Sequence, residues 1–323
     1  MSSNARLHVV TGKGGTGKTT VAAALAIALA SGGQNVLLME VEGRQGIAQL
    51  FDVPPLPYEE RKVAVAPHSG DVFALAVDPE EALREYLEMY YRLGRASKAL
   101  RKIGAVEFAT TVAPGVRDVL LTGKAYEAVR RRSGSNRTYD YVVLDAPPTG
   151  RITRFLNVNN EVAGLAKVGP IRRQADAIMG LIRSPQTAVH LVTLLEEMPT
   201  QETIDGIADL QDSGLPVGSI IVNQVRTPAL RGAALAAAGN GELDRSEVTS
   251  GLAAAGLQGH AGLVDALMQE ASAHAERVRL ERAERRRLKS LNQPLVELAW
   301  QPDGIDLSGL YSLAEQLQKP DMP

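Results

Sequence analysis

A glycine-rich segment near the N-terminus limits the fold of this chain more than any other feature of the sequence. Residues 12–19 read Gly-Lys-Gly-Gly-Thr-Gly-Lys-Thr and match the phosphate-loop pattern G-x-x-x-x-G-K-[ST]. In such a loop the backbone N–H groups point at phosphate oxygens, Lys18 reaches the β- and γ-phosphates, and the Thr19 hydroxyl ligates Mg²⁺. The segment therefore predicts that the chain binds a nucleoside triphosphate together with Mg²⁺.

The segments on either side of the loop agree with this prediction. Leu7–Val10 is a short apolar run typical of a buried strand, and Thr20–Ala30 is an Ala- and Leu-rich helix former that ends before Gly32 and Gly33. A strand, a loop and a helix in that order place the loop amides at the helix N-terminus, where the helix dipole attracts an anion. The residues expected to bind the nucleotide are Gly14, Gly15, Thr16, Gly17, Lys18, Thr19 and Thr20.

Composition narrows the class of protein. With 323 residues, 45% of them hydrophobic and 22% charged, the chain is typical of globular proteins. Its formal net charge of -2 gives no general attraction to nucleic acid, so we expect no nucleic-acid partner. It contains no cysteine, which excludes disulfides, thiolate catalysis and cysteine-ligated metals. The first strand follows Met1 closely and no apolar run is long enough to span a membrane, so we expect a cytoplasmic protein.

Apolar, strand-like runs alternate with helical patterns along the chain, which is typical of a parallel sheet covered by helices on both faces. We therefore predict an α/β fold, organised as a single domain over residues 1–323. The strands are predicted at Leu7–Thr11, Asn35–Val41, Val72–Val77, Tyr139–Leu144, Ala188–Leu194, Gly218–Val222 and Leu295–Trp300.

Two helical segments interrupt this alternation. Residues 79–132 are too long for one crossover helix and predict an inserted helical subdomain. Residues 228–290 form an Ala/Gly-rich helical segment, whose first part, 228–262, predicts short helices or a mobile surface insertion. The second part contains the basic helix His274–Lys289, in which acidic residues are interspersed. Because opposite charges pair at helical spacing, this helix is predicted to be solvated rather than to bind lipid or nucleic acid.

An acidic motif follows the fourth predicted strand. Asp145 begins the sequence Asp-Ala-Pro-Pro-Thr-Gly directly after the apolar run Tyr141–Leu144. An acid at the carboxyl tip of a parallel strand faces the ligand crevice and orients Mg²⁺ in phosphate-loop ATPases. The alternative is that Asp145 only caps the next helix. We expect Thr19 and Asp145 to hold Mg²⁺, the latter through water, and the Pro-Pro-Thr-Gly stretch to respond to the γ-phosphate as a switch.

These motifs resemble those of the ArsA-type ATPases, which include the arsenite-pump ATPase and the factor that targets tail-anchored membrane proteins. Lys13–Thr19 matches K-G-G-x-G-K-[ST], the loop of the class with a signature lysine. Asp145–Leu156 matches D-[TA]-[AP]-P-T-G-x-[TI]-x-R-[FL]-L, and the segments 222–224 and 301–302 match the family's adenine-binding segments. The resemblance therefore extends from one end of the chain to the other.

The resemblance implies a doubly wound, mainly parallel sheet of about seven or eight strands, with a helical insertion. It also implies a dimer of identical or related subunits that face each other around two ATP molecules. Lys13 would reach the partner's phosphates in the manner of an arginine finger; the alternative is a solvated loop lysine. Asn223 would recognise adenine, and Gln224 and Pro302 would belong to the adenine site.

The first switch departs from the family pattern D-x-D-P, because it reads Glu40-Val41-Glu42-Gly43 here. By resemblance Glu42 would orient the attacking water, which makes Lys13, Lys18, Glu42 and Asp145 the expected catalytic residues. The extra methylene of Glu42 moves its oxygens by about one C–C bond, and a misplacement of that size costs about a hundredfold in rate. Hydrolysis is therefore expected to be slow or to depend on a partner, unless Glu42 is only a loop carboxylate.

The sequence leaves several functions open. The missing cysteines argue against an arsenite site, and residues 79–132 show no more apolar surface than one core face needs, so tail-anchor targeting is an alternative without positive support. We favour a dimeric ATPase that couples its nucleotide state to a client protein, a small molecule or a membrane partner, similar to the paired ArsA-like ATPases of actinobacteria. A positioning ATPase peripheral to the membrane and a nucleotide-sensing module with little turnover are also compatible with the motifs.

Overall fold

The structure, a computed structural model, describes residues 4–91, 114–165, 170–257 and 261–318. Eight of its strands form one sheet in the order β10-β9-β8-β1-β7-β2-β4-β3, and β5 and β6 form a separate hairpin. The strands are β1 (Leu7–Gly12), β2 (Val36–Glu40), β3 (Arg61–Val65), β4 (Asp71–Ala76), β5 (Arg132–Ser133), β6 (Asn136–Arg137), β7 (Tyr141–Asp145), β8 (Thr187–Thr193), β9 (Val217–Val225) and β10 (Leu295–Ala299).

All pairings in the large sheet are parallel except that between β3 and β4. The predicted α/β fold is confirmed, and each of the seven predicted strands is present with ends that differ by at most three residues. The sequence prediction missed β3 and the hairpin. Most residues of β3 are exposed or half-buried because it is an edge strand, and the prediction passed over its short apolar run Val63–Ala66, which follows two charged residues. The hairpin strands are two residues long and carry no apolar residue.

Helices cover both faces of the sheet. They are α1 (Lys18–Ala30), α2 (Gly46–Leu50), α3 (Pro79–Tyr91), α4 (Pro114–Arg130), α5 (Thr149–Leu165), α6 (Pro170–Ile182), α7 (Glu197–Asp212), α8 (Gly232–Asn240), α9 (Arg245–Ala254), α10 (Ala261–Lys289) and α11 (Leu307–Gln318). Alternate residues of each strand point to opposite faces, so Val9 packs with α4 to α7 and Val10 packs with α1 and α11. This two-sided cover is the doubly wound arrangement.

Helix α1 lies at the centre of one of these faces. Every residue from Val21 to Ile27 is fully buried, because the sheet covers one side of the helix and α11 and α2 cover others. A helix buried all round does not need a polar face, which explains its run of Ala, Leu and Ile. The packing fixes the N-terminus of α1 at the carboxyl end of β1.

The predicted helical segments are partly described. Helices α3 and α4 lie within the predicted insertion 79–132, whose residues 92–113 fall outside the described part of the chain. In the segment 228–290, the short helices α8 and α9 pack on the long helix α10. The expected ion pairs of α10 are present, for example Arg287 with Glu284 at 2.7 Å. The division of the chain into a core and two insertions stays a prediction. No helix in the described ranges combines the length and apolarity needed to cross a membrane.

Two histidines are paired inside the sheet. His8 of β1 and His190 of β8 are each 1% exposed, and Nδ1 of His8 lies 3.0 Å from Nε2 of His190. The backbone N–H of Ser219 donates to Nδ1 of His190, so the proton of a neutral His190 is on Nε2 and points at His8. Burial lowers the pKa of His8 to about 4 and, together with repulsion from His8, lowers the pKa of His190 to about 3. Both imidazoles are therefore neutral at pH 7.

Acid is expected to destabilise the fold through this pair. The folded-state pKa values lie below that of an unfolded histidine, so below about pH 6.5 the unfolded chain binds more protons. The contribution of the two histidines to the free energy of unfolding should not change with pH above about pH 6.5. Below that pH it should fall towards pH 4, by about 1 kcal/mol per pH unit for each histidine. Chemical denaturation at a series of pH values measures this slope.

The double variant His8→Gln/His190→Gln is the control, because glutamine keeps hydrogen-bonding groups but does not titrate. Its free energy of unfolding should depend less steeply on pH than that of the parent chain. If both proteins lose stability at the same rate between neutral and acid pH, the proton uptake occurs elsewhere.

Candidate nucleotide site

The glycine-rich loop joins the carboxyl end of β1 to the N-terminus of α1, in the middle of the sheet. Two of its glycines cannot carry a side chain. A Cβ atom on Gly12 would lie 2.2 Å from the carbonyl oxygen of Val192, and one on Gly17 would lie 2.4 Å from Nδ2 of Asn223. Gly17 also adopts φ 87°, in the left-handed region that favours glycine, where it caps α1. The loop thus presses against β8 and β9 and presents the free amides of α1 to the crevice.

The residues expected to hold Mg²⁺ are adjacent. The Thr19 hydroxyl donates to Oδ2 of Asp145 at 2.7 Å, and Lys18, next to Thr19, is 8% exposed. Burial raises the pKa of Asp145 to about 6, with Glu40 and Glu42 adding to the rise, while the Thr19 hydrogen bond and Lys18 oppose it. A hydroxyl and a carboxylate oxygen are hard donors that suit Mg²⁺, which takes one or two carboxylates and completes its shell with phosphates and water. The residues present fit the ion, and their roles stay predictions.

Glu40 and Glu42 have different environments. Glu40 is 2% exposed, and its carboxylate accepts hydrogen bonds from the backbone N–H groups of Gln45, at 2.5 Å, and Ile47, at 3.1 Å. It therefore holds the loop between β2 and α2 in place, a role that the sequence analysis missed. The carboxylate of Glu42 lies 3.6 Å from Arg44 and borders a cavity of about 120 Å³ that Pro147 also lines. Of the two switch carboxylates, Glu42 is the one that faces open space.

Lys13 forms an ion pair with Glu202 of α7 in the same chain. The side chains of Lys13 and Glu202 are 30% and 37% exposed, so this contact is close to the surface. Lys13 is thus neither packed on the core nor a solvated lysine without a partner. Its expected reach towards a second subunit stays a prediction, and Glu202, which the sequence analysis did not assign a role, is the residue it would have to leave.

The residues expected at adenine lie on neighbouring strand ends. Asn223 of β9 is 7% exposed, and its Nδ2 donates to the carbonyl oxygen of Thr16 at 2.9 Å. Gln224 and Pro302 are exposed at the carboxyl edge of the sheet. Trp300 is 42% exposed, and the guanidinium of Arg226 lies 4.3 Å from the centre of its ring. Trp300 is therefore a surface residue and does not belong to the core.

A further link joins the loop to the expected switch. The Thr11 hydroxyl, fully buried at the end of β1, donates to the carbonyl oxygen of Pro147 at 2.7 Å. Arg117 of α4 donates to the carbonyl oxygen of Val41 at 3.1 Å. These contacts attach the segments after β7 and β2 to the rest of the site. Both contacts join residues far apart in sequence, so no sequence motif predicts them.

A doubly wound sheet with a glycine-rich loop after β1 and a buried acid after the neighbouring β7 defines a phosphate-loop nucleotide-binding protein. Residues 5–185 match the model of the ArsA family, described as anion-transporting ATPases. The chain belongs to this family and is an ATPase of the ArsA type. The resemblance seen in the sequence is thereby confirmed.

Curated relatives support the same assignment. The chain is 53% identical over 316 residues to ATPase BagA of Mycobacterium tuberculosis, and this match covers 98% of this chain and 93% of that protein. It is 26% identical over 231 residues to the arsenical pump-driving ATPase of Acidiphilium multivorum, covering 67% of this chain and 38% of that protein. It is 25% identical over 179 residues to ATPase get3 of Schizosaccharomyces japonicus, and this match covers 53% of this chain and 52% of that protein. ATPases of this family are commonly dimeric.

Replacing Asp145 with Asn should stabilise the ligand-free chain and remove its response to Mg²⁺. A buried carboxylate whose pKa is raised destabilises the fold at neutral pH, and a shift of this size corresponds to about 1 to 3 kcal/mol. The amide oxygen can still accept the Thr19 hydrogen bond but is a poorer ligand for a hydrated cation. Chemical denaturation without ligand, and thermal unfolding with ATP in the presence and absence of Mg²⁺, measure the two effects.

Asp140→Asn is a matched control, because Asp140 lies at the opposite end of the sheet from the loop. That variant should keep the additional stabilisation that Mg²⁺ gives to the ATP complex. If Asp145→Asn also keeps it, Asp145 does not hold the ion.

Proposed function

We propose that the chain is a Mg²⁺-dependent ATPase that works as a dimer and couples its nucleotide state to a client protein, a small molecule or a membrane partner. The observation that carries the proposal is the 2.7 Å contact between Thr19 and Asp145, beside Lys18 and the free amides of α1. An Mg²⁺ ion bound there would supply charge neutralisation between the phosphates. The loop amides and Lys18 would bind the β- and γ-phosphates.

Adenine recognition would depend on the carboxyl end of β9. Asn223 uses Nδ2 for the loop carbonyl of Thr16, so Oδ1 remains to accept a hydrogen bond from the exocyclic amine of adenine. Gln224 and Pro302 would line the edge of the base, beside the Arg226 and Trp300 stack. The same Asn223 side chain would thereby couple the base to the phosphate loop.

Glu42 would orient the water that attacks the γ-phosphate. Its carboxylate borders open space, whereas Glu40 is occupied by two backbone N–H groups. Phosphoryl transfer passes through a loose transition state, so a protein accelerates it mainly by positioning the water and by stabilising charge. The longer side chain of Glu, compared with the family's Asp, supports slow turnover or a requirement for a partner.

Lys13 would act in the partner subunit. A lysine between loop glycines points away from its own core, and the pair with Glu202 is exposed enough to open. Exposed ion pairs contribute at most about 1 kcal/mol, so leaving Glu202 costs little compared with the charge stabilisation available at a partner's phosphates. The partner would be a second copy or a related subunit. We place this activity in the cytoplasm, with peripheral membrane association if the client is a membrane.

Turnover by the purified chain should rise with protein concentration and be lost in Lys13→Ala. This follows because each site would take its second lysine from the partner, and a monomer lacks it. Steady-state ATP hydrolysis at several protein concentrations measures the effect, with ATP affinity and the free energy of unfolding measured in parallel.

Glu202→Gln is the matched control, since it breaks the same ion pair and leaves Lys13 in place. Both variants should differ in stability from the parent chain by about 1 kcal/mol or less. Lost turnover in Lys13→Ala with retained ATP binding supports the dimer. Turnover that does not depend on concentration or on Lys13 contradicts it.

Glu42→Asp should raise the rate of hydrolysis if the extra methylene limits it, by up to about a hundredfold, whereas Glu42→Gln should remove hydrolysis without affecting ATP binding. Single-turnover measurements on the dimer separate this step from product release. Equal rates in the parent chain, Glu42→Asp and Glu42→Gln would exclude Glu42 from the reaction.

A nucleotide-sensing module is the second candidate, and the Glu42 substitution in the switch favours it. In that case ATP would drive association of two subunits without measurable hydrolysis. Sedimentation of the chain with ATP and with ADP distinguishes the two functions. Tight, ATP-dependent dimerisation together with no turnover in the parent chain or in Glu42→Asp would favour the sensor.

A further inference from the structure

A second cavity lies at the edge of the sheet opposite to the nucleotide loop. It has a volume of about 420 Å³ and is lined by the residue before β1, the end of α4, the hairpin β5–β6, helix α6 and the residue before β8. Strand β1 has six residues and separates the two sites by about 20 Å. The cavity is within the usual size range of small-molecule sites.

Four arginines surround this cavity. Arg6, Arg130, Arg132 and Arg137 line it, and none of the described lining residues is acidic. The guanidinium of Arg6 donates to two neutral acceptors, the carbonyl oxygens of Tyr139 at 2.9 Å and of Asp140 at 3.2 Å, so these bonds orient it without neutralising it. The cavity therefore contains a concentrated positive charge in a chain whose formal net charge is -2.

The arrangement is electrostatically unfavourable in the free chain. Arg132 and Arg137 are directly opposite each other in the hairpin, and like charges at such positions destabilise a strand pair. Burial lowers the pKa of the Arg6 guanidinium, repulsion by Arg137 and Arg132 lowers it further, and Asp140 opposes the change. The Asp140 carboxylate also accepts a hydrogen bond from the backbone N–H of Asn35 at 2.9 Å. An anion in the cavity would relieve this repulsion.

We propose that this cavity binds a multiply charged anion, the di- or triphosphate group of a small soluble ligand, at a site separate from the nucleotide loop. Guanidinium groups bind phosphate oxygens through paired N–H donors, and these charge-assisted hydrogen bonds are among the strongest in proteins. The hairpin would supply Arg132 and Arg137 from one side and the start of β1 would supply Arg6 from the other. The ATPase activity does not require this site.

Inorganic pyrophosphate is a suitable probe, because it has the charge of a diphosphate without a base. Isothermal titration without metal or nucleotide takes Lys18→Ala as its parent chain, because loss of Lys18 weakens phosphate binding at the loop, whereas added ADP, itself a diphosphate, would compete for the cavity. We expect one equivalent of pyrophosphate to bind to the parent chain and the affinity of Arg132→Gln/Arg137→Gln to fall about tenfold or more. The variant should fold, since removing two opposed charges relieves repulsion.

Two further variants separate a built site from general surface charge. Arg282→Gln/Arg286→Gln removes the same charge from exposed positions of α10 and should leave the affinity within about twofold. Gly180→Leu adds a side chain to the cavity wall, where a Cβ meets no atom within 4 Å, and improves helix propensity. It should weaken binding without removing any charge.

Several results would overturn the proposal. Equal weakening in the two arginine double variants would make the effect a property of net charge, and unchanged binding in Gly180→Leu would place the anion outside the cavity. Absence of pyrophosphate binding to the folded parent chain would exclude a phosphate site. Binding to vesicles that contain anionic phospholipid, without binding to pyrophosphate, would assign the arginines to a membrane surface instead.

Discussion

The buried helix α1 is the element on which the nucleotide site depends. The residues from Val21 to Ile27 have no solvent exposure, so the helix cannot rotate or shift without opening one face of the sheet. Its N-terminus therefore stays at the carboxyl end of β1, and the loop between them has no room for side chains at Gly12 and Gly17. The packing of α1 several residues further along fixes the orientation of the loop amides. Binding of a phosphate therefore requires little further ordering of the loop.

The same packing explains why the site is energetically unfavourable without a ligand. Asp145 is 7% exposed beside Glu40 on the neighbouring strand, and the Thr19 hydroxyl and Lys18 compensate for its burial only in part. Functional sites commonly retain such unfavourable groups, because the ligand supplies the missing partner. At the opposite end of the sheet the unfavourable charges are positive, because Arg132 and Arg137 face each other in the hairpin.

Much of the fold was predictable, for identifiable reasons. The strands next to the site are buried on both faces, so they appear as apolar runs between turn residues. The predicted strand β10 is different, because it is an edge strand that is mostly half-buried. Strand β3, a largely exposed edge strand, was missed because its apolar run Val63–Ala66 is short and follows two charged residues. The candidate site was predictable where one motif contains it, as for Lys18, Thr19 and Asp145. Glu40, Glu202 and Arg226 could not be predicted, since their partners lie in other segments or depend on loop geometry.

The sequence by itself determined the class of fold, the presence of a nucleotide site and the family. Each of these depends on local patterns, namely short motifs and the alternation of apolar and helical segments, that can be recognised along the chain. Only the tertiary structure decided which residues meet. It paired Lys13 with Glu202, turned Asn223 towards Thr16, left Trp300 exposed against Arg226 and gathered four arginines at one end of the sheet. Such contacts join positions far apart in the chain, and close packing of helices on a twisted sheet sets them, which no local pattern encodes.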